Sequence, residues 1–265
     1  MTQLIAAICN GRKSVILFSD RMVERAGLAF ERGVKGKRIA NNAIVLTAGT
    51  IHEPELITDI KNEFVQTTNP SILNIAKKFT EKYHETRRNR ILDQILKPLG
   101  FDSVEEFYSK HKLLHDSIVL DVMSKMEEFQ LGVHLLLAGV DSEAHIYYIC
   151  DPGTYSSYDE IGFFCPGMGK EQAESTFVWY DFSPDLKLSE ALFIAFEAKK
   201  RAEAAGSVGK MTDGWIIDDK GCHVIAQQTI NELEKIYASR QEIFKRERLG
   251  KEVEELQIIK EEMDY

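Results

Sequence analysis

Cysteine is scarce in this chain of 265 residues: Cys9, Cys150, Cys165 and Cys222 are all there is, and no two form a CxxC pair. A secreted disulfide framework is shorter and denser in cysteine, so reduced thiols in a cytoplasmic protein are expected. Long apolar runs are also missing. None reaches the roughly 18 residues a membrane-spanning helix requires, so no membrane association is expected. The opening apolar run is broken by Asn10, Arg12 and Lys13, which a secretory leader would not tolerate. The seven histidines are dispersed, without HExxH or a Cys/His cluster, so neither a metal nor another cofactor is expected. Positive charge is in deficit, with a formal net charge of -9. Such a surface repels phosphate backbones, so nucleic acid is not an expected partner. No Pro/Gly/Ser-rich linker divides the chain, which predicts a single domain over residues 1–265.

What is present is apolar material in alternating kinds of run. Hydrophobic residues make up 44% of the chain, enough for a sizeable core. Leu4 to Cys9 and Ser14 to Ser19 read as two buried strands joined at Asn10-Gly11, a pair that tolerates positive φ. Val34 to Ala40 and Ala43 to Thr47 read as a second hairpin, turning at Asn41-Asn42. Helical spacing follows: Leu56, Ile57, Ile60 and Phe64, then Ile72, Ile75, Ala76 and Phe79. Residues 85–128 stay helical in character, broken at Pro98-Leu99-Gly100, with Asp102 or Ser103 as the cap of a further helix. Leu131 to Val140, His145 to Cys150 and Glu160 to Cys165 read as strands, with His134 a hydrogen-bonded core residue. Helices over Lys170–Tyr180 and from Leu188 to Ala205 come next. A last strand pair holds Trp215 to Ile217 and Cys222 to Ala226. A charged helix starts at Gln228, and residues 245–265 form a charged helix or tail.

Helices that arrive in pairs between strand pairs do not suit a doubly wound parallel sheet. The order predicts an α+β fold: two antiparallel sheets stacked as a four-layer αββα sandwich, covered by helix pairs, with residues 85–128 as a helical insertion.

The motifs in this order resemble the proteasome-like N-terminal-nucleophile hydrolases, and their β-type subunits in particular. Thr2 through Asn10-Gly11 to Ser19-Asp20-Arg21 is similar to the family's opening hairpin. Gly36-Lys37-Arg38-Ile39 resembles its basic pair, and Leu46-Thr47-Ala48-Gly49 its strand ending in Ala-Gly. Leu136 to Asp141, Asp151-Pro152-Gly153 and Leu188 to Leu192 resemble its second half. The insertion marks a divergent member.

The resemblance implies a threonine-type hydrolase of peptide (amide) bonds. Thr2, exposed as the first residue by removal of Met1, is the implied nucleophile, and its free α-amino group the base. Asp20 is the implied acidic group and Lys37 the candidate lysine, with Lys35 and Arg38 as the alternatives for that position. Gly49 is the implied oxyanion donor through its backbone N–H. The implied partners are a peptide or protein substrate and further copies or relatives in an oligomer, rings being the family's assembly. Two positions depart from the pattern: Met168 stands in place of a serine, and Ala204 near the place of a supporting aspartate. These departures imply the alternative, a non-catalytic assembly or structural subunit that has kept the fold and lost the site.

Overall fold

The computed structural model describes residues 2–25, 28–49, 53–64 and 66–247. Met1 and residues 248–265 lie outside these, and with them most of the expected charged tail. Strands β1 (Leu4–Cys9) and β2 (Ser14–Asp20) form the opening hairpin, with Leu4 opposite Ser19 and Cys9 opposite Ser14. Asn10 and Gly11 turn the chain at φ of 57° and 62°, a region these two residue types enter at low cost. Every residue of both strands is buried, as continuous apolar runs predict.

A hairpin of β3 (Met22–Arg25) and β4 (Leu28–Glu31) follows as a separate two-stranded sheet. It was not expected from sequence. Val23, Leu28 and Phe30 are exposed, so no buried face imposes an alternating pattern on these short strands. β5 (Gly36–Ala40) and β6 (Ala43–Gly49) then pair across Asn41-Asn42.

Helices α1 (Glu53–Phe64) and α2 (Ile72–Ile91) bury the stripe foreseen from their spacing. Leu56, Ile60, Ile75 and Phe79 share one core cluster with Val45, Leu135 and Ile149. Burying a side chain of this kind stabilises by about 1.5–3 kcal/mol. α2 continues through residue 85 to Ile91, and a further helical segment begins at Leu92. It holds a π-helical turn at Leu92–Leu96, a 3-10 turn at Lys97–Leu99, α3 (Val104–Lys110) and α4 (Asp116–Glu128). Ser103 caps α3, its Oγ accepting the Glu106 N–H at 3.0 Å. Leu96, Phe101, Phe107 and Val122 form a small core within the segment.

The second half runs through β7 (Val133–Val140), β8 (Ala144–Cys150), β9 (Thr154–Ser157) and β10 (Phe163–Phe164). Then come α5 (Lys170–Trp179), α6 (Leu188–Ala202), β11 (Thr212–Asp218) and β12 (Gly221–Val224). The strand expected over Glu160–Cys165 contracts to Phe163-Phe164, which pair with Ala7 and Ala6. β9 was not foreseen: all four of its residues are exposed.

The fold is mixed α+β with antiparallel sheets. One sheet has the order β10-β1-β2-β11-β12, the other β5-β6-β7-β8-β9. Leu4, Ile8, Leu17 and Trp215 of the first share an apolar cluster with Leu46, Leu136 and Ile146 of the second. The intervening residues of β1 and β2 are buried on the other face, where Phe18 meets Phe196 of α6 edge-on at 5.9 Å between ring centroids. The chain divides into two compact units, Met1–Ile225 and Ala226–Tyr265. The second contains α7 (Gln227–Glu247), where Gln227 bonds Asn231 one turn on, at 3.0 Å.

Candidate active site

Thr2 lies two residues before the start of β1, and the backbone around it is held by the segment before α5. The Met168 N–H donates to Thr2 O at 3.1 Å. Gln3 is buried with every polar atom engaged. Its Oε1 accepts the Gly169 N–H at 2.9 Å, and its Nε2 donates to Leu4 O at 3.0 Å and Cys165 O at 2.9 Å. A buried amide left unpaired is costly, so these bonds fix the strand entry that carries Thr2.

Asp20 closes β2 and is wholly buried. Its Oδ1 accepts the Gln3 N–H at 2.8 Å and Lys35 Nζ at 2.8 Å. Its Oδ2 accepts the Met22 N–H at 3.0 Å and the Gly209 N–H at 3.1 Å. A carboxylate offers about four lone-pair positions, and all are occupied here. Lys35 is 6% exposed, and its Nζ also donates to Thr2 Oγ1 at 2.5 Å. Asp20, Lys35 and Thr2 therefore form one continuous line. A buried ion pair is tolerated when good geometry and extra hydrogen bonds offset its desolvation, and this pair has both.

Thr2 and Asp20, the residues that the resemblance implies, meet at the ammonium of Lys35, one of the alternatives to Lys37. Lys37 is exposed on β5 opposite Val45, and the Arg38 guanidinium turns to Ala40 O and Asn41. Residues two apart on a strand share a face, so alternation alone cannot separate Lys35 from Lys37. Depth separates them: Lys35 stands just before the strand begins, and its carbonyl accepts the Thr47 N–H at 3.1 Å.

Gly49 ends β6 with φ of +117°, and a Cβ there would lie 2.0 Å from Gly132 O. No other residue fits this position. Gly132 is held in turn by Asp151, whose carboxylate accepts the Leu131 and Gly132 N–H groups at 2.8 Å each.

Thr2, Lys35 and Gly49 all line one cavity of about 690 Å³. Met22, Val23, Val34 and Met168 make its apolar walls, and His134 and Tyr148 a polar one. His134 is half-buried and hydrogen-bonded, its Nδ1 2.7 Å from the Tyr148 hydroxyl, with the two rings stacked. Burial lowers its pKa, which keeps the imidazole neutral near pH 7. Its place on a cavity wall was not legible in an apolar strand.

Burial pushes Cys9 up to about 12 and Cys222 to about 11, and raises Cys150 and Cys165, which suppresses the reactive thiolate. Among the described residues, no group of three or more His, Cys, Asp or Glu side chains is placed to hold a metal ion. Among the same residues, no helix is long and apolar enough to cross a membrane.

A scan against known protein families found no match to this chain, and a search of curated proteins found no similar sequence.

Proposed function

We propose that this protein is an N-terminal-threonine hydrolase of peptide bonds, with a divergent proteasome-like αββα sandwich as its scaffold. One observation carries the reading: the Thr2 hydroxyl lies 2.5 Å from the buried Lys35 ammonium, itself paired with Asp20, on the wall of a cavity. A threonine hydroxyl is a weak nucleophile until a neighbouring base activates it.

In this reading removal of Met1 frees the Thr2 α-amino group, whose ordinary pKa of about 7.7–8.0 suits proton exchange near neutrality. The Thr2 oxygen attacks the substrate carbonyl carbon as its proton passes to the α-amine. The carbonyl oxygen becomes an oxyanion, stabilised by the Gly49 N–H. The C–N bond then breaks, the leaving amine takes the proton, and water hydrolyses the acyl ester to regenerate Thr2. Lys35 supplies positive potential at the hydroxyl, and Asp20 fixes its position. The free thiols suit a reducing, cytoplasmic setting. Self-association into an oligomer is part of the proposal.

The experiment is intact-mass analysis of the purified protein, followed by reaction with a peptide electrophile that needs both the threonine hydroxyl and a free α-amine. The expected result is loss of Met1, a single adduct on Thr2, and none on Thr2→Ala. Peptidase activity undiminished in Thr2→Ala would sink the proposal.

A second reading is a non-catalytic assembly subunit. Met168 favours it: this exposed side chain stands where the resemblance places a supporting serine. A chain that has lost Met1 and still takes no adduct would decide for that reading.

A further inference from the structure

Lys199 lies in the last turn of α6 and is completely buried, a rare situation for lysine. An ammonium has three donors, and all three are used. They reach Glu203 Oε1 at 2.6 Å, Gly209 O at 3.0 Å and Lys210 O at 2.9 Å. Burial lowers the Lys199 pKa, and the Glu203 carboxylate works against that shift. An ion pair with Glu203 one helical turn on would by itself satisfy the charge. The other two bonds go to the backbone of the segment between α6 and β11.

That backbone touches the Thr2 site from its other side. The Gly209 N–H donates to Asp20 Oδ2 at 3.1 Å, and the Lys210 N–H donates to Glu31 at the end of β4. The approach is tight: a Cβ on Gly209 would lie 2.8 Å from Glu31 Oε1 and 3.0 Å from Met22 Cβ. The same two residues thus accept from Lys199 through their carbonyls and donate to Asp20 and Glu31 through their amides. The Gly209 carbonyl shares its peptide plane with the Lys210 N–H, so Lys199 fixes the amide on Glu31 directly and the Gly209 N–H on Asp20 through the Gly209 Cα.

We infer that Lys199 is a positioning residue for the Thr2 site, pinning the 209–210 backbone so that the Gly209 N–H completes the shell of Asp20 and Asp20 holds Lys35 against Thr2. The inference rests on the reading of Thr2 as nucleophile. It assigns the support of the site to a lysine and a backbone amide in a chain whose residues 168 and 204 are Met and Ala.

The test uses three variants of the full chain. Lys199→Met keeps the aliphatic stem and removes the ammonium, Lys199→Arg keeps the cation, and Gly209→Ala pushes the same backbone away from Met22 with Lys199 intact. Lys199→Met is expected to label Thr2 at least about tenfold more slowly, equivalent to about 1.4 kcal/mol. The affinity of a reversible peptide ligand stays unchanged. Its pH profile of labelling moves to higher pH, because loss of a cation beside the site makes the local potential more negative and favours the protonated α-amine. Lys199→Arg recovers part of the rate. Amide exchange at Gly209 quickens about tenfold, while Gln3 and Met22, the other amides on Asp20, keep their protection. If the wild type itself takes no adduct, the Thr2 reading fails, and exchange at Gly209 still decides whether Lys199 holds that amide on Asp20. A wild-type labelling rate, pH profile and Gly209 exchange in Lys199→Met would overturn the inference. So would a uniform loss of protection at all three amides, which marks a purely structural lysine. If Lys199→Met does not fold, Gly209→Ala decides: labelling at the wild-type rate overturns the inference, and slowed labelling with the fold intact supports it.

Discussion

In one of two clusters of carboxylate and base the base meets a hydroxyl, and in the other it meets only carboxylates. In the first, Asp20 and Lys35 converge on the Thr2 hydroxyl. In the other, His145 sits between Asp159 and Asp141, its Nδ1 2.7 Å from Asp159 Oδ2 and its Nε2 3.1 Å from Asp141 Oδ1. By composition the His145 cluster is the better match to catalysis, since histidine between two acids is a familiar proton-transfer arrangement. Its surroundings say otherwise. Asp159 also accepts the Ile146 N–H at 2.7 Å, and Asp141 accepts the Ile72 N–H at 3.0 Å. These bonds tie the start of β8 and the start of α2; both ring nitrogens of His145 are held by carboxylates, and the nearby Ser142 hydroxyl bonds Asp141 at 3.2 Å rather than the imidazole. Close pairing of acid and base is common to both clusters; a hydroxyl held by the base distinguishes the first.

Substitutions should pull the two apart. The largest effect is expected for Asp20→Ala, which removes the carboxylate from the buried Lys35 ammonium. Breaking such a pair costs about 3–5 kcal/mol, read by urea unfolding, and labelling of Thr2 should disappear with it. His145→Ala should cost about 2 kcal/mol at pH 6, from hydrogen bonds to charged groups, and leave the labelling rate unchanged. A His145 variant that abolished labelling with its fold intact would erase the distinction.

The same histidine gives a pH test of smaller size. The Asp159 hydrogen bond, opposed by burial and helped by both carboxylates, raises the His145 pKa. A raised folded-state pKa means stability that is complete below the unfolded value of about 6.5 and is lost as pH rises through the folded one. Burial raises Asp159 and Asp141, but their hydrogen bonds and the His145 charge outweigh it and leave both lowered. Their contribution is therefore present above about pH 4 and lost as pH falls through the folded values. Unfolding free energy should decline between pH 6 and pH 8 in the wild type, and less steeply in His145→Ala. Parallel slopes would show that His145 is not the group responsible.

The smallest effect concerns the cavity wall. His134→Phe keeps the stacked ring and drops the bond to Tyr148. It should change stability by under about 1 kcal/mol and shift substrate preference through KM rather than kcat. A profile of peptide substrates identical to wild type would remove His134 from the binding surface.

Strong patterns in the sequence correspond to strong physical constraints in the structure. β1 and β2 were legible because both faces are buried and the turn needs Asn and Gly. The stripes of α1 and α2 were legible because one face packs. The β3–β4 hairpin was not, since its exposed residues answer to no core, although Met22 and Val23 line the cavity. That Thr2 and Asp20 lie close together was legible only through the resemblance and their places near the ends of strands. Lys35 stood among the alternatives to Lys37, one step of strand period away, and only its burial and its bond to Thr2 single it out. Lys199 left no trace at all: on a helix it reads as one more solvated cation, and only the returning backbone at 209–210 gives its ammonium something to hold.

The helical segment after α2 carries a further consequence, one of energy landscape. Leu96, Phe101, Phe107 and Val122 give it a core of its own, while Leu113 and Leu120 stand open to solvent. A segment whose apolar contacts are largely internal can melt as a cooperative unit without dismantling the sheets. Heating should therefore loosen residues 92–128 before the strands that carry Thr2 and Asp20, and limited proteolysis should cut there first, leaving the cavity intact in the fragment that survives.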